Sequence, residues 1–264
     1  MERIKQALDK ARQERQIRQT GSPPPATAAQ PRTGTVVYDQ TREITLDDNV
    51  LRENRILTGL EPGPFTDAYN LLRTQVLQRF KENSWNVLAV TSPGSGAGKT
   101  LTAINLAISI AREVDYTVLL VDANLRHPWM LEHLGLEHRK GLSDYLIDDT
   151  PISELLIKPG RVEHLVILPG GRPLVNSAEA LNSPKMAQLV KDMKSRYHSR
   201  IIIFDLPPVL TSADALAFSP YVDAALLVIE DGVTQKHELE HAIELLSTTN
   251  IIGTVLNKAE RKSA

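Results

Sequence analysis

The sequence predicts a three-layer α/β fold, in which a mostly parallel central sheet carries helices on both faces. Three observations predict it. Short runs of branched apolar residues recur along the chain, segments with helical apolar spacing separate most of them, and a glycine-rich loop joins the first strand to a helix. Because crossover helices return the chain to the same edge of a sheet, such strands pair in parallel. The predicted strands are 87–90, 117–121, 165–168, 201–204, 224–229 and 251–256.

Composition sets the broad class of the protein. The chain has 264 residues, enough for one sizeable domain with appendages, and a net charge of −2, which gives no electrostatic argument for binding nucleic acid. It has no cysteine, which excludes disulfides and thiolate metal sites and fits a reducing cytosol. Apolar runs such as 224–229 are too short to span a bilayer, and residues 1–20 are too charged for a signal peptide. We therefore expect a soluble protein.

The chain divides into five segments. Residues 1–19 predict a charged helix, which is either a solvated surface helix or one that docks on a partner or membrane surface. Residues 20–35 form a Pro/Ala/Thr linker, and residues 36–64 show weak signals that predict an irregular lead-in. Residues 65–258 are predicted to form the main α/β domain, and residues 259–264 are a tail without tyrosines.

Helices are predicted wherever apolar residues recur at three- and four-residue spacing. The first follows Pro62-Gly63-Pro64, with Thr66 as its candidate cap and apolar residues as far as Phe80. The helix after the glycine-rich loop has its apolar residues between 101 and 111. The remaining helical patterns cover 142–147, 152–157, 183–196 and 234–248.

The first predicted strand leads into a glycine-rich loop, Ser92–Thr100, called the P-loop below. Glycines let backbone N–H groups turn inward, and the following helix N-terminus adds positive potential, so the segment predicts a phosphate cradle of a P-loop NTPase. Lys99 can reach the β- and γ-phosphates, and the Thr100 hydroxyl can ligate Mg²⁺. Pro93 stands where the strict pattern has glycine; the alternative is a glycine-rich surface turn. The candidate nucleotide-binding residues here are Gly94, Ser95, Gly96, Ala97, Gly98, Lys99 and Thr100.

Two further predicted strands end in a carboxylate. Asp122 follows strand 117–121, and Asp205 follows strand 201–204. A carboxylate at the carboxyl end of a parallel strand faces the crevice where ligands bind, beside the P-loop. Asp205 has the position of a Walker-B acid, and both carboxylates are candidates for holding Mg²⁺. The alternative for Asp122 is an aspartate that only caps a loop.

His237-Glu238-Leu239-Glu240-His241 matches the H-E-x-x-H pattern of zinc proteases. The apolar residues of this helix fall on one side, and His237 and His241 fall on the other. We therefore predict that both histidines face water and hold no metal.

These motifs together resemble those of the bacterial tyrosine kinases of the polysaccharide co-polymerase group, especially the autokinases of exosortase and exopolysaccharide systems. The P-loop is similar to that family's deviant first motif. Asp122-Ala-Asn124-Leu-Arg126 is similar to its D-x-D-x-R motif, and Asp205-Leu206-Pro207-Pro208 to its D-[ST]-P-P motif. Weaker similarities cover 178–183, 231–234 and 255–258.

The resemblance implies ATP and Mg²⁺ as cofactors, with Lys99, Asp122 and Asp205 as catalytic residues. It implies Thr100, Asp122 and Asp205 as metal ligands, either directly or through water, with Asp122 also nearest the incoming nucleophile. Asn124, Arg126 and Asn257 are implied as further nucleotide contacts, Asn257 near the base.

The family also implies partners and a location. It implies a transmembrane modulator of the polysaccharide co-polymerase type. No nucleic-acid partner is expected, because the net charge is close to zero. A homo-oligomeric ring would form through the helix 67–75, using Asp67, Arg73 and Thr74. The protein would be cytoplasmic and recruited to the inner face of the cell membrane, with residues 1–35 as the tether.

The sequence departs from the family in ways that bear on activity. Asn124 replaces the second carboxylate, Leu206 replaces a hydroxyl residue, and Asn70 replaces an interface arginine. The usual tyrosine cluster is absent from residues 259–264, so a tail cannot be phosphorylated. Two hypotheses fit the sequence best: a tyrosine kinase that controls exopolysaccharide export, and an ATP-driven conformational switch. A partitioning-type ATPase lacks support, because no second lysine lies early in the P-loop. A pure scaffold with a vestigial site is disfavoured, because Gly98-Lys99-Thr100 is intact.

Overall fold

The computed structural model describes residues 41–57, 63–196 and 199–259. All of them belong to one compact unit, Tyr38–Ala264, so the predicted helix 1–19 and linker 20–35 lie outside the described residues. The described strands are β1 (Arg42–Ile44), β2 (Val87–Thr91), β3 (Thr117–Asp122), β4 (Ile157–Pro159), β5 (Leu165–Leu168), β6 (Arg200–Asp205), β7 (Ala224–Glu230) and β8 (Asn250–Asn257).

These strands form one sheet in the order β1-β4-β5-β3-β6-β2-β7-β8. Six strands, β2, β3, β5, β6, β7 and β8, run in the same direction, as predicted for an α/β fold. The pairing of β4 with β5 is antiparallel, and β1 pairs in parallel with β4. Thus β1 and β4 run opposite to the rest of the sheet.

Helices surround this sheet. Their bounds are α1 (Asp48–Glu53), α2 (Pro64–Asn83), α3 (Lys99–Ala111), α4 (Met130–His133), α5 (Leu142–Asp148), α6 (Ile152–Leu155), α7 (Ser177–Leu181), α8 (Pro184–Arg196), α9 (Asp214–Phe218) and α10 (Lys236–Leu245). A 3-10 turn, Ser219–Tyr221, follows α9.

The central strands of the sheet are buried on both faces, which explains why they are continuous apolar runs. Alternate residues of each strand point to opposite faces, so Leu88 and Ile203 enter one core with α2 and α3. Val87 and Phe204 enter the other core with α8, α9 and α10. Two cores separated by one sheet are the three layers that the sequence predicts.

The lead-in 36–64, predicted to be irregular, contains β1 and α1 within its described part. Asp47 caps α1 by accepting from the Asn49 N–H at 2.8 Å, and Leu51 is buried in the core. β1 has three residues and α1 has six, which is too short for a periodic pattern to emerge. Their formation depends on the pairing of β1 with β4, a contact remote in sequence.

Two other boundaries differ from the predictions. Helix α2 begins at Pro64 with Gly63 as its N-cap, so Thr66 lies inside the helix. Proline is favoured at the first position of a helix, because an N–H group at that position has no hydrogen-bond partner within the helix. The predicted helix 152–157 ends at Leu155, since Ile157 pairs with Ile167 of β5. Among the described residues, no helix combines the length and apolar character needed to cross a bilayer.

Candidate active site

The P-loop connects β2 to α3 with the geometry that a phosphate cradle needs. Gly96 and Gly98 have φ of 85° and 88°, in the left-handed region that favours glycine. A Cβ at Gly98 would lie 2.1 Å from Nδ2 of Asn257, which instead donates to the Ala97 carbonyl at 2.8 Å. Gly98 therefore lets the end of β8 close against the loop.

Pro93 does not disturb the P-loop, because the segment that follows β6 forms hydrogen bonds with this part of the loop. The carbonyls of Ser92 and Pro93 accept from the N–H groups of Val209 and Leu210, at 2.9 and 3.1 Å. Pro93 is thus used as an acceptor, a role that needs no N–H group. A Cβ at Gly94 would meet nothing within 4 Å, so the glycine at this position is not required to avoid a steric clash.

Lys99, Thr100 and Asp205 form a connected network at the start of α3. The Thr100 hydroxyl donates to Oδ2 of Asp205 at 2.6 Å, and Nζ of Lys99 donates to the Thr100 hydroxyl at 3.2 Å. Nζ of Lys99 also lies 3.7 Å from Oδ1 of Asp205. The structure brings these three predicted site residues together.

Asp122 occupies the position of β3 that pairs with Asp205 of β6. Its carboxylate accepts from the backbone N–H groups of Asn124 and Met130, each at 3.2 Å, and only 1% of the residue is exposed. Burial and the neighbouring Asp205 carboxylate raise the pKa of Asp122 to about 8, against the lowering effects of the Met130 N–H and of Lys99.

Burial also raises the pKa of Asp205, and Lys99 and the Thr100 hydroxyl oppose that rise. Two buried carboxylates side by side at a sheet edge are costly unless a cation joins them. The pair therefore marks a site built to receive positive charge.

The arrangement fits Mg²⁺. Oδ1 of Asp205 is buried and has no hydrogen-bond partner among the described residues, so it is free to accept from a metal-bound water. Carboxylate and hydroxyl oxygens are the ligands that Mg²⁺ prefers, with phosphates and water completing the shell. The described residues contain no group of three or more acidic, histidine or cysteine side chains that could hold a metal by themselves.

The three residues that the resemblance implies as further nucleotide contacts, Asn124, Arg126 and Asn257, lie at different places. Asn257 contacts the P-loop directly, as described above. Asn124 faces Asp122 through its backbone N–H. Arg126 is paired with the buried Asp214 of α9, with Nε 3.4 Å from Oδ1, and 44% of its side chain is exposed.

Sequence reasoning missed two residues that shape the site. Gly170 follows β5, and a Cβ there would lie 2.5 Å from Cβ of Pro128 and 3.2 Å from Cγ of Asp122. The Pro169-Gly170-Gly171 turn after a strand was the signal that could have identified it. Asp214, which holds Arg126, had no signal in the sequence, because its role depends on a contact across 88 residues.

Two predicted features away from the site can also be located. On α2, Asp67 and Thr74 are exposed, whereas Arg73 pairs with Glu113 at 2.8 Å within the same chain. On α10, both His237 and His241 are exposed, as predicted, while Ile243 is 42% exposed rather than buried with the apolar side.

Comparisons with known proteins agree with this geometry. A family described as an AAA domain matches residues 85–259. The tyrosine-protein kinase YwqD of Bacillus subtilis (strain 168) is 31% identical over 217 residues, covering 78% of this chain and 90% of that protein. The putative tyrosine-protein kinase CapB of Staphylococcus aureus is 30% identical over 195 residues, covering 73% and 84%.

Among solved structures, the VpsO kinase domain superposes with a TM-score of 0.66 at 27% identity, covering 74% of this chain and 96% of that one. The matched segment, 85–259, contains the P-loop and both paired carboxylates. The chain therefore belongs to the AAA-domain family and to the bacterial tyrosine-protein kinases.

Proposed function

We propose that this chain binds Mg²⁺ and ATP at the P-loop and transfers the γ-phosphoryl group to a tyrosine hydroxyl. The observation that supports this most is the convergence of Lys99, Thr100 and Asp205 within 3.7 Å, beside the paired carboxylate Asp122. Phosphoryl transfer depends on alignment and charge neutralisation more than on covalent chemistry, and this cluster supplies both.

Each residue has a role that follows from its position. Lys99 contacts the β- and γ-phosphate oxygens, and the N–H groups of 94–100 surround the phosphates. Thr100, Asp205 and Asp122 would hold Mg²⁺, directly or through water; the bound ion would neutralise charge on the phosphates. Asn124 and Arg126 assist nucleotide binding, and Asn257 lies beside the loop at the base side.

Asp122 is also the residue that accepts the proton of the attacking hydroxyl. Gly170 and Pro128 enclose it, which keeps bulk water away from its carboxylate. Bound Mg²⁺ would favour the ionised form of Asp122, the form that can accept a proton, and burial makes that carboxylate more basic than an exposed one.

A second candidate is an ATP-driven switch that signals by conformation. Asn124 supports it, because a neutral amide replaces an anionic anchor for the metal and so slows phosphoryl transfer.

The family suggests a wider setting. We propose that the protein acts in exopolysaccharide polymerisation and export with a transmembrane partner of the co-polymerase type. Residues 1–35 would recruit it to the cytoplasmic face of the membrane. A ring through 67–75 would rely on the exposed Asp67 and Thr74, since Arg73 is already paired with Glu113.

Purified protein with Mg²⁺ and ATP tests the proposal. Phosphotyrosine and free phosphate are measured with a synthetic Glu-Tyr copolymer as acceptor. We expect phosphotyrosine from the wild type, loss of at least tenfold in Lys99→Ala, and no loss in Lys236→Ala, whose side chain is 88% exposed on α10. Phosphate release without phosphotyrosine would instead support the switch.

A further inference from the structure

The two edges of the central sheet differ in length and charge. β1 forms one edge with three residues, two of which, Arg42 and Glu43, are charged. β8 forms the other edge with eight residues, and these include no charged residue and no proline. Short length, charged side chains and proline are the features by which proteins prevent a sheet edge from pairing with another chain. β1 is protected in this way, whereas β8 is not.

β8 also presents apolar surface at this edge. Within the described residues it pairs with β7 on one side and with no strand on the other. Leu256 is 54% exposed, Thr254 is exposed, and Ile251, Ile252 and Val255 are only half-buried. An edge strand of this kind offers a row of backbone N–H and C=O groups to a further strand. The side chains beside that row are mostly apolar, so a partner strand would also gain hydrophobic contacts.

The sequence of β8 is chemically symmetric about its centre. Read inward from its two ends, a polar residue matches a polar residue, two large apolar residues match two others, and two small residues meet in the middle. In an antiparallel pair of two copies of β8, the opposite residues would be Asn250 and Asn257, Ile251 and Leu256, Ile252 and Val255, and Gly253 and Thr254. Apolar and β-branched pairs of this kind stabilise antiparallel strands. The symmetry favours a second copy of this chain as the partner.

A bulge in β8 makes this register compatible with the two faces of the sheet. Residues directly opposite each other in an antiparallel pair have their side chains on the same face, but residues three apart in a regular strand lie on opposite faces. The pairing of β8 with β7 skips Ile252, so the alternation shifts at this point. As a result Ile252 and Val255 both pack against the core that contains α2 and α3. Each of them can therefore meet the other residue of a second copy on that face.

The helix nearest this edge leaves it open. A groove of about 470 Å³ lies between α2 and β8, and its lining includes Arg79 and Glu82 of α2 and Ile252 and Gly253 of β8. Arg79 and Glu82 are the charged residues of this lining, one of each sign. Two copies that meet about a two-fold axis would therefore not bring charges of a single sign together.

The size of the contact sets its expected strength. An antiparallel pair of eight-residue strands forms at most about eight backbone hydrogen bonds, because alternate residue pairs exchange two bonds each. At one hydrogen bond per about 100–200 Å², this corresponds to about 800–1,600 Å² of buried surface. That range lies at the lower end of specific interfaces, so a reversible dimer that depends on protein concentration is expected.

We propose that two copies of this chain associate through β8, antiparallel, with Ile252 of one copy opposite Val255 of the other. The two sheets then form one continuous sheet across a two-fold axis, and both copies of α2 lie on the same face of it. This contact does not use Asp67 or Thr74, so it is separate from the ring proposed through 67–75. It also does not depend on the kinase function proposed above.

Sedimentation velocity of the full chain, without nucleotide and over a wide range of concentrations, tests the dimer. The wild type should shift reversibly from monomer to dimer. Thr254 lies beside the two-fold axis, so Thr254→Lys brings two positive charges within about 6 Å of each other and should weaken association at least tenfold. Thr254→Glu should do the same, and an equimolar mixture of the two variants should associate again as a heterodimer.

Val114→Lys is the matched control, since Val114 is 78% exposed in the turn after α3, away from β8. It should associate like the wild type, and circular dichroism checks that every variant is folded. A wild type that stays monomeric at all concentrations overturns the proposal. So does a dimer that Thr254→Lys leaves unchanged, because another surface, such as the ring helix, would then hold the two copies together.

Disulfide trapping tests the register. The chain has no cysteine of its own, so Ile252→Cys and Val255→Cys each carry a single thiol. When the two variants are mixed and mildly oxidised, a disulfide-linked heterodimer should be the main product, because opposite Cβ atoms lie about 4.5–5.5 Å apart. Ile252→Cys alone should crosslink poorly, since its two thiols would be about 10 Å apart. A predominant Ile252→Cys homodimer, or no disulfide at concentrations where the wild type is dimeric, contradicts the proposed register.

Discussion

The paired carboxylates predict an unusual dependence of stability on pH, which Asp122→Asn should remove. Asp122 is neutral in the folded protein up to about pH 8, because burial and Asp205 disfavour its ionised form. In the unfolded chain it ionises near its ordinary pKa of 3.8. Between these two values the folded state holds a proton that the unfolded state has released, so stability falls as pH rises through this window and levels off above it.

The magnitude follows from the size of the shift. A rise of about four pKa units corresponds to a ceiling of about 6 kcal/mol of free energy of unfolding. Movement of Lys99 and entry of water toward the ionised pair reduce this ceiling, so we expect about 2–4 kcal/mol between roughly pH 5 and pH 8. In a domain of this size that difference moves Tm by about 5–15 °C.

Urea unfolding of the metal-free protein, in EDTA, measures this difference directly. Asp122→Asn keeps an oxygen acceptor for the Met130 N–H and cannot ionise, so it should be nearly as stable as the wild type at low pH and clearly more stable near pH 8. Asp115→Asn, at an exposed turn before β3, should keep the wild-type profile. If Asp122→Asn and the wild type lose stability in parallel as pH rises, the ionisation of Asp122 is not the cause of the pH dependence.

Two further substitutions test the loop and its support. Gly98→Ala should weaken ATP binding in calorimetry by at least tenfold, because its Cβ would collide with Asn257 and its φ of 88° is strained for alanine. Gly253→Ala in β8, where a Cβ meets nothing within 4 Å, is the matched control and should bind ATP normally. Asn105→Leu should lower the free energy of unfolding by about 2–3 kcal/mol in urea, because the buried side chain donates to Arg55 and accepts from Leu57 in the lead-in, and both backbone groups would lose their partner. An unchanged midpoint of Asn105→Leu would show that the lead-in is not anchored to α3.

Six of the eight described strands could be predicted from the sequence. Five of them, β2, β3, β5, β6 and β7, are buried along almost their whole length, whereas β8 lies at the edge of the sheet and is only partly buried. A parallel strand covered on both faces must be apolar at every position, and such runs stand out against amphipathic helices. β1 and β4 have three residues each and owe their existence to pairing with each other and with β5. A pattern of three residues carries no information about such a pairing, so β1 and β4 were not predicted.

The sequence by itself was enough to predict which residues gather at the site: Lys99 and Thr100 follow the glycines of the P-loop, and Asp122 and Asp205 end strands. Parallel strands bring their carboxyl ends to one edge, so a local pattern was enough to predict that these residues meet. Only the tertiary structure decided that Arg126 is held by Asp214, that Gly170 encloses Asp122, and that Asn257 closes on the P-loop. Each of these contacts joins residues far apart in the chain, and their distance is set by strand order and helix packing, which no short stretch of sequence contains.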